Sequence, residues 1–277
     1  MLENKEILDY SFLLKLSLIS VITAVSTYIF IFFFSNYTSL FFANDSGIAA
    51  SFNLSGISFP DEISKLNWSR DEMITILLSK PISSFVLGFF SLFLLMVSSK
   101  KPSSVIMLLF WLNIFAFNSA FGLLIDDAFF GIGTYNVATL MNISNITLFI
   151  MAVILAYIFL KLGLMNGRLI IISFPSQSLS NLKTRVVFFA IVFTIPLLLI
   201  ILYSYLLSSW SFSISGMLKF LPVVILLIPF LTAKKPENTN FHYTPAYKFS
   251  IVDTIISLLL IAMATTLILW MKSGVVI

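Results

Sequence analysis

The chain has no cysteine and a single histidine, His242. Without thiols there can be no disulfide framework and no thiolate metal site. One imidazole alone falls short of the ligand set that a zinc ion needs. Charge is scarce as well: Asp, Glu, Lys and Arg make up 10% of the residues, where soluble domains carry roughly 25%. The net charge is only +4, and its basic residues are scattered among short connecting segments. That pattern gives no footing for nucleic acid. What fills the chain instead is apolar: 59% of residues are hydrophobic, and the mean hydropathy is +1.05. No water-soluble fold of this length hides so much apolar surface, so the solvent is lipid.

The apolar residues fall into about seven runs, each near the ~20 residues that cross a bilayer as a helix. They are Ser11 to Phe34, Ile74 to Val97, Ser104 to Ile125, Ile146 to Leu162, Val186 to Leu207, Met217 to Leu231 and Ile251 to Met271. The first is too long for a signal-peptide core and reads as a retained span. Pro81 suggests that the second helix proper starts there, where a missing N–H costs least. Pro196 predicts a kink in the fifth. The sixth is short and carries Pro222 and Pro229, so it reads as tilted, re-entrant or broken. Between the first two runs, Phe52 to Phe59 partly alternates and predicts a short strand or hairpin at the membrane edge. The expected fold class is therefore an all-α integral membrane protein, a polytopic bundle with one small β element.

Basic residues alternate between loops. Lys100 and Lys101 follow the second span. Lys161, Arg168, Lys183 and Arg185 flank the loop after the fourth, and Lys234, Lys235 and Lys248 follow the sixth. The other loops are acidic or neutral. The positive-inside rule then places the N-terminus in the cytoplasm and the C-terminus outside, in a membrane read as a bacterial inner membrane. The outward loops also contain N-x-[ST] triplets, such as those at Asn36, Asn53 and Asn142, which Asn- and Ser-rich loops generate by chance.

Polar chemistry concentrates in one stretch, Trp111 to Asp127, which carries Asn113 and Asn118 and ends on Asp126 and Asp127. Adjacent carboxylates repel, so one of them can be held protonated or bind a cation; the plainer reading is a solvated helix edge. Asparagines inside spans commonly bond neighbouring helices. These four residues are the candidate binding residues. Asp253, near the start of the last span, reads as an interfacial capping residue, and His242 as a solvated loop residue. No other ionisable group is expected deep in a span. No catalytic residue, metal ligand or cofactor is expected.

Three local patterns, in the right order, resemble the site-2 protease family of intramembrane zinc metalloproteases. That family carries H-E-x-x-H followed by a glycine, then a G-P pair opening a second helix, then an N-x-x-P whose asparagine precedes an aspartate by eight residues. Here Asp126 follows Asn118 at that spacing, Ser79 to Ser83 with Pro81 stands where the G-P pair falls, and Gly47 sets the first motif on Ser35-Asn36-Tyr37-Thr38-Ser39. The resemblance covers residues 10 to 130 and implies a three-helix core over 1–130, with four further helices over 131–277 in one membrane domain. Under it, Ser35 and Ser39 replace the zinc-binding histidines, Asn36 replaces the glutamate base, Phe121 replaces the proline, and Asp127 replaces the final glycine. Of the metal ligands only Asp126 remains, and one carboxylate cannot hold a catalytic zinc. The implied protein is a pseudoprotease: a non-catalytic scaffold or accessory subunit that binds a membrane-protein partner's transmembrane segment, or a peptide by strand addition. A transport or export component is the alternative, and a membrane-embedded hydrolase the second alternative.

Overall fold

A computed structural model describes residues 10–59, 69–97, 102–122, 125, 141–174, 179, 181–207, 219–234 and 250–276. Six of its helices are long and apolar enough to cross a membrane. Helix α1 spans Tyr10–Asp45, α2 Arg70–Val97 and α3 Ser103–Phe117, which continues as a π-helical turn over Asn118–Gly122. Next come α4 (Asn145–Ser173), then α5 (Leu182–Phe189) joined to α6 (Ile195–Leu207) by a π-helical turn. A short α7 (Leu221–Leu227) runs into a 3₁₀ turn over Ile228–Leu231, and α8 spans Ile251–Ser273. The expected kink at Pro196 takes the form of the Ala190–Thr194 π turn just ahead of it, which accommodates the missing N–H by shifting the hydrogen-bond frame.

Several boundaries differ from the sequence expectation. Helix α1 runs on to Asp45 and does not end near Phe34, so Ser35 to Ser39 lie on the helix and not in the loop after it. Helix α2 starts at Arg70, so Pro81 lies inside it. The cause is a capping box: the Ser69 hydroxyl accepts from the Glu72 N–H, and the Glu72 carboxylate accepts from the Ser69 N–H. Satisfying two end donors stabilises a start well upstream of the proline, whose lost bond to the Leu77 carbonyl is borne in the helix interior. Helix α4 runs on to Ser173, so Lys161 and Arg168 sit on the helix and not in a loop. The short sixth run forms only α7 and its 3₁₀ turn, Leu221–Leu231, about 16 Å of helix.

The direction of each helix follows from its contacts. The Ser104 N–H donates to Asp253 Oδ1 at 2.8 Å, joining the starts of α3 and α8. Asp253 also closes a capping box with Ser250, in keeping with its expected role. At the other end of the bundle, strand β3 (Val275–Val276) follows α8 and pairs antiparallel with β1 (Ser51–Asn53), which follows α1. Thus α1, α3 and α8 run parallel. Ser17 and Ser20 on α1 donate to the Ile191 and Val192 carbonyls, which sets the α5–α6 unit alongside in the same direction. Phe220, ahead of α7, packs on Tyr28 in the middle of α1, whereas Phe230 beyond it packs on Phe188 and Phe189 of α5. Helix α7 therefore carries the chain back along only half the bundle, from mid-depth to the end where α1 begins.

Small residues let this packing close. On α4, Gly163 and Gly167 face α7: a Cβ at Gly163 would meet the Leu226 carbonyl, and one at Gly167 would lie 2.9 Å from Phe230 Cα. Such small-xxx-small pairs bring backbones together where lipid supplies no hydrophobic drive. The main apolar core gathers α1, α3, α4, α5, α6 and α7 around Trp111 and Phe193. A second cluster, with Phe52, Leu40, Met271 and Val275, holds the β hairpin against the ends of α1 and α8.

Candidate functional site

Of the short strand or hairpin expected after the first span, the structure has a hairpin. Strand β2 (Gly56–Ser58) pairs antiparallel with β1, Phe52 opposite Ile57, and the sheet order is β2-β1-β3. Gly56 takes φ +120°, a conformation open to glycine and strained for other residues. Phe52, fully buried, anchors the hairpin on Phe33, which in turn contacts Trp270 of α8. The third strand, contributed by the C-terminal residues, was not foreseen from the sequence.

Beneath the hairpin lies a cavity of about 390 Å³, walled by α1, α2, the π turn after α3, α6 and the segment before α7. Its polar lining brings together Ser35, Asn36, Lys80, Asn118, Ser119, Tyr203 and Lys219, with Leu54 to Ile57 of the hairpin as its roof. Three residues singled out from sequence patterns far apart along the chain, Ser35, Asn36 and Asn118, therefore share one wall-to-wall space. Ser39 stands beside it as a helix contact: its hydroxyl pairs with Ser79 at 3.1 Å, and Thr38 pairs with Ser83 at 3.0 Å. These two hydroxyl pairs zip α1 to α2, and Ser84 donates to Ser119 at 3.0 Å to tie α2 to the π turn.

The two asparagines have different roles. Asn113 is fully buried; its amide donates to the Gly88 carbonyl at 2.9 Å, and its oxygen accepts from Asn166 at 2.7 Å. It joins α2, α3 and α4 and does not line the cavity. Asn118 does line it, with its amide 3.5 Å from the Lys219 carbonyl. The Asn118 Oδ1 is buried and has no hydrogen-bond partner among the described residues. Gly122, which a Cβ would crowd against Asn118 and Pro222, lets the segment before α7 close this wall. Gly47, which set the motif position in α1, takes φ +70° and donates to the Asn44 carbonyl while Ile48 donates to Ala43. Glycine is favoured there by the helix-ending turn itself. Asp126 and Asp127 lie outside the described residues, as does His242. Among the described residues no group of three or more His, Asp or Glu is placed to hold a metal ion.

The residues that sequence reasoning missed are the two lysines. Lys80 lies inside α2, about 15 Å along the helix from its start, and this corrects the expectation that no further ionisable group enters a span. The signal was present in the Ser69-to-Glu72 capping box, which predicts the early helix start. Lys219 had no comparable signal, since its place depends on how the segment before α7 folds back to Tyr28. Tyr203, also missed, has a buried hydroxyl with no partner among the described residues.

No protein-family model matches this chain, and no curated protein or solved structure matches it either.

Proposed function

We propose that this polytopic membrane protein is a non-catalytic, pseudoprotease-like accessory subunit that binds an extended segment of a membrane-protein partner at the roof of the cavity. One observation carries the reading: the positions of the degenerate motif, Ser35 and Asn36, share a cavity with Asn118 beneath a hairpin whose β2 is the edge of its sheet. An edge strand presents backbone donors and acceptors to an added strand. Hydroxyls and an amide at the former ligand and base positions suit hydrogen bonding, not water activation on a metal. A cation pathway, the competing reading, is disfavoured by Lys80 and Lys219 in the wall, because ammonium groups repel cations.

In this reading the N-terminus is cytoplasmic and the C-terminus outside, in a bacterial inner membrane. The placement of the two ends at opposite faces is supported by the pairing of β3 with β1, and their assignment to sides by the basic loops. The test is site-specific photocrosslinking in the native membrane. A photoreactive residue at Ser58 on β2 should give one discrete protein adduct. The same probe at Leu259, which is exposed on the outer face of α8, should give none. Absence of a Ser58 adduct, or equal labelling from both positions, would sink the strand-addition reading.

A further inference from the structure

The cavity walls carry two hydrogen-bond donors that the surrounding residues leave unmatched. The first is the Lys80 amino group, which lines the cavity and has no hydrogen-bond or ion-pair partner among the described residues. The second is the Tyr203 hydroxyl, buried and without a partner among the described residues. Neighbouring polar groups are turned to other work. Ser35 and Asn36 both donate to the Phe32 carbonyl, at 3.3 and 2.7 Å. Ser119 accepts from Ser84, and the Tyr28 hydroxyl bonds to Ser204. The Asn118 oxygen lies directly on Gly122, within its own π turn. A buried donor that finds no acceptor costs its full desolvation, so two in one cavity call for a ligand that supplies acceptors to both.

The rest of the wall is apolar and aromatic. Tyr28 meets Phe115 edge to face with ring centroids 5.6 Å apart, and Phe220 at 6.1 Å. With Phe32 these rings line the same space, and flat conjugated rings pack well against them. The volume of about 390 Å³ falls in the range of small-molecule sites, roughly 300–1,000 Å³.

We propose that the cavity binds a planar ring bearing carbonyl oxygens, of the quinone class, whose carbonyls accept from Lys80 and Tyr203 and whose ring lies against Phe32 and Phe115. The inference goes beyond the preceding reading and rests on it only in taking the cavity as a binding site; it does not need strand addition. A carbonyl oxygen has two lone pairs and no proton, so it satisfies a donor without asking for one in return. A neutral ring also enters a lipid-walled cavity at little desolvation cost, where a free anion would pay heavily.

The experiment follows thermal unfolding of the full chain in a mild uncharged detergent. The probes are duroquinone, durene, which is the same methylated ring without carbonyls, and hexanoate. Duroquinone is fully substituted and the chain lacks cysteine, so no thiol adduct confuses the reading. Duroquinone should raise Tm saturably, and durene should not. Its apparent affinity should fall about tenfold in Lys80→Met and in Tyr203→Phe, the loss of one hydrogen bond inside an apolar site. Tyr203→Phe removes a single buried oxygen with no described partner, so it tests the proposal even if Lys80→Met unfolds, and unfolding without probe checks both variants.

The proposal is overturned if duroquinone gives no rise, or if the rise persists undiminished in both variants. It is overturned equally if durene matches duroquinone, because the cavity then takes any apolar ring. A stronger response to hexanoate than to duroquinone overturns it too, because the site then selects an anion. The Ser58 crosslink is read separately. A crosslink without a duroquinone response fails this inference alone, and the reverse result fails strand addition alone.

Discussion

At the scale of single residues, identical side chains do opposite work according to what they reach. Asn113 has both ends of its amide engaged, by Gly88 and Asn166, in a fully buried position. Asn118, five residues on, keeps an oxygen with no partner among the described residues beside the cavity. Replacing Asn113 with Leu removes two bonds and strands the amide of Asn166, at an expected cost of about 1–2 kcal/mol. Replacing Asn118 with Leu loses only a long 3.5 Å contact to the Lys219 carbonyl and should leave unfolding nearly unchanged. Thermal unfolding of both variants checks the contrast. Equal losses of stability would show that the division of labour is wrong. Trp111 belongs with Asn113: its indole donates to Ser20, whose hydroxyl donates to Val192, so a fully buried polar atom is satisfied across three helices.

At the scale of elements, the departures from regular helix have local causes. The π turn before Pro196 absorbs a missing donor, and the Ser69–Glu72 box sets the start of α2. Helix α7 is too short to span, and its place is made by α4. Gly163 and Gly167 open a lane in which Leu226, Pro229 and Phe230 sit against bare backbone. At the end of α7, the Arg185 guanidinium donates to the Ala233 and Leu179 carbonyls, fastening it to the start of α5. Gly167→Leu should therefore displace α7 and cost about 1–3 kcal/mol through overpacking. A Gly167→Leu protein with normal Tm would mean that α7 is held elsewhere.

At the scale of the whole molecule, the parity of the chain is decided by a two-residue strand. Because β3 pairs with β1, the end of α8 lies beside the end of α1, so the start of α1 and the end of α8 lie at opposite ends of the bundle. The native chain lacks cysteine, so single introduced thiols report topology without background. Ser55→Cys in the hairpin and Ser273→Cys at the end of α8 should react with an impermeant maleimide from one side of sealed vesicles. Lys183→Cys at the start of α5 should react only from the other side. Labelling of all three from the same side would contradict the arrangement. The cavity is open to this same logic: it is roofed by the hairpin and reaches down to Tyr28 and Phe220 at mid-depth.

The amino-acid sequence by itself determined that the chain is a lipid-embedded helical bundle, because apolar run length and scarcity of charge are local properties. A short strand or hairpin near Phe52 to Phe59, the capping role of Asp253 and the weakness of the sixth run were legible there too. Each of these follows from alternation, capping chemistry or proline within a few residues. What the tertiary structure alone decided is which polar residues meet. The Ser35–Asn36 pair, Asn118 and Lys219 are distant from one another in sequence, and only helix packing brings them around one cavity. The same holds for Asn113 and Asn166, and for the strand that closes the sheet from the far end of the chain. Asp126 and Asp127, the most conspicuous charges in the central stretch, draw the eye because they are adjacent. Lys80 is hidden because the proline beside it suggests a helix start, whereas a capping box that begins eleven residues upstream sets that start. Contacts made across the bundle are set by the shapes and directions of whole helices, and no short pattern in the chain records them.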